Sequence, residues 1–180
     1  MHVSIAIFVS SCSMIGNDSD KSNIEPLETQ PNLETKSDVQ SLISAKEKEN
    51  GIPEGILNSI ASVESKHKVY AVNTYRKSHN FNSKSDAVKF INTAIRHGKK
   101  NISIGCCQLH YASHKKNFLS IDDMLTPEKN VAYAAIMLKK LYIRYGSWEK
   151  AIKKYHNASK RHNQAYYNKV MKIYSSYKHS

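Results

Sequence analysis

The stretch Gly51–Asn73 constrains the chain most, because a carboxylate falls on the apolar face of a helix. Pro53 suits the first turn of a helix, where its missing N–H costs nothing. Ile56, Leu57, Ile60 and Ala61 then recur at helical spacing, and the next position on that face is Glu64. A helix with this face packs into a core, which carries Glu64 towards low dielectric. Burial disfavours the charged form, so such a carboxyl keeps its proton above the usual range. A carboxyl protonated near neutrality can give a proton to a leaving oxygen. The same spacing is met by a glutamate near a helix end that angles to water or pairs with Lys66 or Lys68.

Three ordered motifs bear on that choice. Ser62-Val63-Glu64-Ser65, with Ala71-Val72-Asn73 a few residues on, resembles the catalytic motif of lytic transglycosylases of the soluble, goose-lysozyme-like type. Ile104-Gly105-Cys106-Cys107-Gln108-Leu109 resembles that family's Gly-Leu-Met-Gln-Ile turn. Ala151-Ile152-Lys153-Lys154-Tyr155-His156-Asn157-Ala158 resembles its Ala-x-x-x-Tyr-Asn-Ala helix. Asn130–Ala135 and Tyr145-Gly146-Ser147-Trp148 match the helix that leads into the third motif. The likeness runs from Gly51 to Tyr174, most of the 180 residues.

The resemblance implies a lysozyme-like globular domain acting on the glycan strands of peptidoglycan without a cofactor. Glu64 would protonate the oxygen between N-acetylmuramic acid and N-acetylglucosamine. It would then take the proton of the muramic C6 hydroxyl, closing a 1,6-anhydro ring. Ser65 and Gln108 would line the groove, and Tyr155 would orient the glutamate or the substrate's acetamide. Asn73, Gly105 and Asn157 complete the implied substrate-binding set. Two positions depart from the family pattern: His156 stands where many members have Asn, and Cys106-Cys107 replace Leu-Met. Wall turnover, assembly of secretion machinery in the cell envelope and phage entry all stay open as settings.

The fold class also follows from composition. Few Pro and Gly and many long side chains indicate an all-α fold, here α+β only through a minor β turn region. Charge is unevenly placed: residues 1–50 carry four basic and eight acidic side chains, residues 51–180 carry 23 and seven. So basic a region favours a polyanion, either nucleic acid or an anionic cell wall, or is a solvated lysine-rich surface. No nucleic-acid motif is present, so no nucleic-acid partner is expected.

The first residues read as a targeting segment, 1–12. Val3–Val9 is a short apolar run, and Val9-Ser10-Ser11-Cys12 resembles a bacterial lipobox, in which Cys12 is lipidated. Export to the periplasm follows from that reading, with membrane anchoring of an outer-membrane lipoprotein through Cys12. Against it stand the shortness of the run and the lack of a preceding Lys or Arg. Residues 13–38 are rich in Ser, Asn, Asp, Glu, Thr and Pro with almost no apolar period, the composition of a disordered linker. The domain is expected over 39–180.

Val39–Asn50 opens it with a weak helical face of Val39, Leu42, Ile43 and Lys46. Tyr70–Phe81 reads as loop with two short strands. Ser83–Asp86 opens a helix burying Ala87, Val88, Phe90, Ile91, Ala94 and Ile95 and stopping at Gly98. Asn101–Tyr111 forms a turn or strand pair around Gly105, where the backbone can come close to a ligand. Thr126-Pro127 starts a helix ending at Gly146, Ser147 caps the next, and a last helix turns Tyr166, Val170, Ile173 and Tyr174 inward.

Cys106 and Cys107 are expected to pack as small hydrophobes. His110 and His114 are expected at the surface. No metal site is expected, since no Cys or His spacing supplies a ligand set. The acids taken for the domain are Glu54, Glu64, Asp86, Asp122, Asp123, Glu128 and Glu149, with Asp122-Asp123 in a loop. None is nominated as a second catalytic acid, whereas glycoside hydrolysis ordinarily uses two. Two other readings remain: a lysozyme in which Asp86 or Asp122 positions water, and a non-catalytic glycan- or nucleic-acid-binding module.

Overall fold

Eight helices and a small sheet are seen in the computed structural model, which describes residues 36–178 except 76 and 157–159. Cys12, residues 13–35 of the expected linker and Asn157 lie outside the described residues. No described helix is long and apolar enough to cross a membrane.

Helix α1 (Lys36–Glu49) begins three residues before the expected Val39. Its buried positions are Val39, Ile43 and Glu47, four apart, so they form one stripe. Lys46, expected on that face, instead pairs with Glu49 at 2.8 Å on the exposed side. Glu47 retains only 1% exposure and was absent from the expected acids.

The reason for that buried carboxylate is helix α2 (Ile56–Ser65). Its N-cap, Gly55, sits at φ 90° and offers no side chain to the first N–H groups. Glu47 reaches across and accepts from the backbone N–H of Gly55 (2.9 Å), of Leu57 and of Asn58 (3.0 Å). Desolvation pushes the Glu47 carboxyl up, and these three bonds oppose it. A carboxylate at a helix N-terminus also meets the positive end of the dipole. The void left by the missing Cβ of Gly55 is filled by the Tyr177 ring. Ile56 to Ala61 are all buried, and full burial of Leu57 or Ile60 contributes about 1.5–3 kcal/mol each. The helix stops through two consecutive left-handed residues, Lys66 (φ 58°) and His67 (φ 64°). Buried His67 turns back and bonds the Asn58 carbonyl through Nε2 at 3.1 Å.

The expected strands form an antiparallel sheet in the order β2-β1-β3-β4. They are β1 (Ala71–Thr74), β2 (Lys77–Asn80), β3 (Ile102–Ile104) and β4 (Leu109–His110). Val72 of β1 pairs with His79 on one side and Ile104 on the other, leaving β2 as an edge. Between β2 and β3, α3 (Lys84–Arg96) is capped by Ser83, which accepts from the Asp86 N–H, and buries Ala87, Ile91 and Ala94.

After the short α4 (Tyr111–His114), Asp122-Asp123 lie in the first turn of α5 (Ile121–Leu125), not in a loop. The Ser120 hydroxyl accepts from the Asp123 N–H there, a cap missed because the helix is only five residues long. His114, expected at the surface, is half-buried, with Nδ1 3.0 Å from the Tyr133 hydroxyl. Helices α6 (Pro127–Tyr145), α7 (Trp148–Tyr155) and α8 (Lys160–Lys178) complete the domain. Gly146 ends α6 at φ 68°, and the Ser147 hydroxyl caps α7. The core joins Ile43, Leu57, Ile60, Ile91, Ile104, Leu125, Leu138 and Val170, which draws on all the longer helices and β3.

Replacing Glu47 by Ala should strand three backbone donors at the start of α2 and cost about 3 kcal/mol, read as a lower midpoint in urea denaturation. Glu47→Gln, which keeps one acceptor oxygen, should lose less.

Candidate active site

Glu64 occupies the last turn of α2 and faces a groove of about 320 Å³. The groove is floored by Val63, Ser65, Ala71 and Gln108 and walled by Ser78, His79 and Asn80 of β2, with Lys66 and Lys68 on the exit from α2. Glu64 is the sole carboxylate among these lining residues. Only 16% of its side chain is exposed. The apolar spacing of α2 therefore delivers a carboxyl to the edge of the core, and neither Lys66 nor Lys68 pairs with it.

Its recorded partner comes from the far end of the chain. The Tyr166 hydroxyl donates to Glu64 Oε1 at 2.7 Å. On the same side His156 lies flat on Tyr166, with ring centroids 4.4 Å apart and planes 7° from parallel. His156 Nδ1 is 3.9 Å from Oε1, beyond hydrogen-bond length. Desolvation pushes the Glu64 carboxyl up to about 7, against the lowering effect of the Tyr166 bond. Burial and the neighbouring carboxylate raise the Tyr166 phenol well above its usual range, so it stays a neutral donor. With Oε1 accepting from Tyr166, Oε2 is left to carry a transferable proton. The arrangement makes Glu64 an acid matched to neutral pH whose conjugate base is also basic enough to act there.

The turn Gly105–Gln108 sits behind the glutamate and is tied from three elements. Ser65 Oγ donates to the Cys106 carbonyl at 2.8 Å, fixing the end of α2 to it. Tyr155 donates its hydroxyl to the Cys107 carbonyl at 2.9 Å. Asn130 Oδ1 accepts from the Cys107 N–H at 3.0 Å, and its Nδ2 donates to the carbonyls of Ile104 and Met124. Gln108, at φ 49°, folds its amide back on the carbonyls of Gly105 (2.9 Å) and Ala71 (3.2 Å). Both thiols are fully buried and reduced, and the hydrogen bond with Cys106, with desolvation after it, holds the Cys107 thiol protonated.

The structure thus brings Glu64, Ser65 and Gln108 to one groove. Tyr155 stands behind the turn rather than on the glutamate; the orienting phenol is Tyr166. Gly105 (φ 80°) does permit a close approach, but the group that comes close is the Asn130 side chain, which would lie 2.3 Å from an added Cβ. Asn73 is placed on β1 with its amide on the Ser78 hydroxyl at 3.3 Å, outside the groove lining. The roles of Tyr166 and His156 were not read from the sequence, since an inward aromatic on a helix has the same period as any core residue. Among the described residues no cluster of His, Cys, Asp or Glu could hold a metal ion.

Two consequences are measurable. Because the folded state holds the Glu64 proton more tightly than the unfolded chain, stability falls as pH rises from about 4.5 to about 7. Glu64→Gln should remove that fall, leaving the variant about 2–3 kcal/mol more stable than wild type at pH 8 and little changed at pH 4, as read by urea denaturation at both pH values. Gly105→Ala should clash with Asn130 and force a left-handed alanine, lowering the melting temperature by several degrees in a calorimetric scan.

Residues 41–177 of the 180 match the family described as the Transglycosylase SLT domain. No curated protein and no solved structure matches the chain significantly. The matched span runs from α1 to the end of α8 and contains the groove, Glu64 and Tyr166, so the helix-rich domain with its small sheet is the lysozyme-like one implied by the three motifs. The chain belongs to the transglycosylase SLT-domain family, the lytic transglycosylases that act on peptidoglycan.

Proposed function

We propose that the chain cleaves the bond between N-acetylmuramic acid and N-acetylglucosamine without water, leaving 1,6-anhydromuramic acid ends, with Glu64 as acid and then base. The observation that carries this reading is the solitary, desolvated carboxyl in the groove. In the first step the Oε2 proton passes to the bridging oxygen as its bond to muramic C1 breaks, and Glu64 becomes a carboxylate. In the second the carboxylate takes the proton of the C6 hydroxyl while that oxygen bonds C1, and Glu64 is protonated again. No proton is gained or lost over the cycle.

Asp86 and Asp122, the two candidates for a water-positioning role, support no second-acid reading. Asp86 is engaged with Ser83 and Lys89 in the first turn of α3, and Asp122 binds Lys84 at 2.9 Å. Neither lines the groove. An internal hydroxyl held at C1 has an effective concentration of about 10⁵ M or more in favourable cases, far above bulk water. Lys66 and Lys68 on the groove wall suit an anionic substrate. Since peptidoglycan lies outside the cytoplasm, export with Cys12 as a lipid anchor belongs to the same reading.

Purified sacculi digested with the protein should yield fragments about 18 Da lighter than those carrying a free reducing end, the mass of the water not added. Glu64→Gln should abolish release, whereas Asp86→Asn and Asp122→Asn should keep most of it. Free reducing ends, or a loss of 10²–10⁴-fold in either aspartate variant, would make the protein a lysozyme.

A further inference from the structure

His156 departs from the family motif and stands where it can act on the catalytic carboxyl. Its ring is pinned flat against Tyr166, the phenol that holds Glu64, and its Nδ1 faces the same Oε1 at 3.9 Å. Stacking fixes that distance, because the imidazole cannot withdraw without losing its contact with Tyr166. With 41% of its side chain exposed, it exchanges protons with solvent, which the largely buried Glu64 does less readily. We propose that His156 is a positioning residue for the reaction, whose charge decides whether the Glu64 carboxylate is basic enough for the second step.

The argument follows the charges. A neutral imidazole at 3.9 Å leaves Glu64 governed by desolvation, a weak acid and a correspondingly strong base. An imidazolium at the same distance stabilises the carboxylate by direct Coulomb attraction in a site that water screens poorly. Glu64 then parts with its proton readily but takes one back poorly, so the C6 hydroxyl is no longer deprotonated and ring closure slows. Other groups around the pair keep His156 neutral in the resting enzyme. Desolvation, His162 and Lys169 of α8 lower the imidazole below its usual range. Of the other titratable groups about Glu64, Cys107 of the turn is held neutral by its hydrogen bond with Cys106 and by burial, and Tyr155 of α7 by burial. Lys66, Lys68 and His79 line the groove with Glu64, His79 lowered by desolvation and by Lys77 and Lys99. His156 and Glu64 are thus a coupled pair whose neutral form is the one that completes the cycle, and acid shifts it to the charged form.

This inference rests on Glu64 acting as acid and then base, and the test separates the two. Initial rates of fragment release from sacculi are measured from pH 4.5 to 8.5 for wild type, His156→Asn and His156→Gln, with circular dichroism confirming the fold of each. Wild type should lose about fivefold or more between pH 7 and pH 5, and both variants should lose that acid limb while keeping the alkaline limb set by Glu64. An acid limb unchanged in both variants, or profiles merely scaled down at every pH, would overturn the proposal. In parallel, the His156 ring is titrated by NMR in wild type and in Glu64→Gln. The wild-type ring resonances should show, besides their own step, a second step near pH 7 where Glu64 ionises, absent in Glu64→Gln, and a wild type without it would overturn the coupling. A wild type that releases no fragments at any pH would instead refute the transglycosylase reading, with the NMR titration still deciding whether the two groups interact.

Discussion

The interaction on which the site depends is the grip of Glu47 on the start of α2. The helix that carries the catalytic carboxyl begins at a glycine with no capping side chain, deep in the core, where open N–H groups would be costly. A carboxylate from α1 answers three of them at once. Both buried glutamates thus touch the same helix, one at each end, with opposite fates. At Glu47 the backbone donors surround the charge and consume its oxygens. At Glu64 only a phenol does so, and the second oxygen is left free to work.

The far end of α2 is fixed with equal care, but by the turn rather than by a charge. Ser65, Asn130 and Tyr155 converge on Cys106 and Cys107 from three helices, and every bond goes to backbone or to Asn130 itself. The turn is therefore held chiefly through its backbone, the one side-chain bond from the cysteines to another element being that of the Cys106 thiol to Asn130 Oδ1 at 3.6 Å. The positions that cannot vary freely are Gly105, pressed against Asn130, and Gln108, whose amide closes the turn in a left-handed conformation.

Much of this was legible in the sequence, and what was hidden follows a pattern. The period-breaking Glu64, the cap at Ser83, the Thr126-Pro127 start and the Gly146 stop are local signals, read from residues within one helical turn. The strand pairs were legible as short runs around turn residues. Glu47 was not, because a glutamate two residues before the end of a weak helix looks like any solvated acid until the partner helix is placed. The same holds for Tyr166 and His156: their meaning lies in a contact with Glu64, and an aromatic at an inward position of α8 reads as core. Asp122-Asp123 looked like a loop because α5 is too short to show a period.

The bond between Tyr166 and Glu64 joins residues 102 positions apart, and Tyr177 from the same helix closes over Gly55 at the other end of α2. The environment of the glutamate is therefore completed by the last described helix, whose Tyr166 bond tempers the rise that desolvation causes. A chain in which α8 has not yet docked exposes Glu64 to water, where it titrates as an ordinary carboxylate and is ionised at neutral pH. Such a chain can carry all three motifs in sequence and still be unable to donate a proton. The acidity of the glutamate is consequently a property of the docked α8 as much as of the three motifs, and it is complete only when a contact reaching 102 residues along the chain has closed.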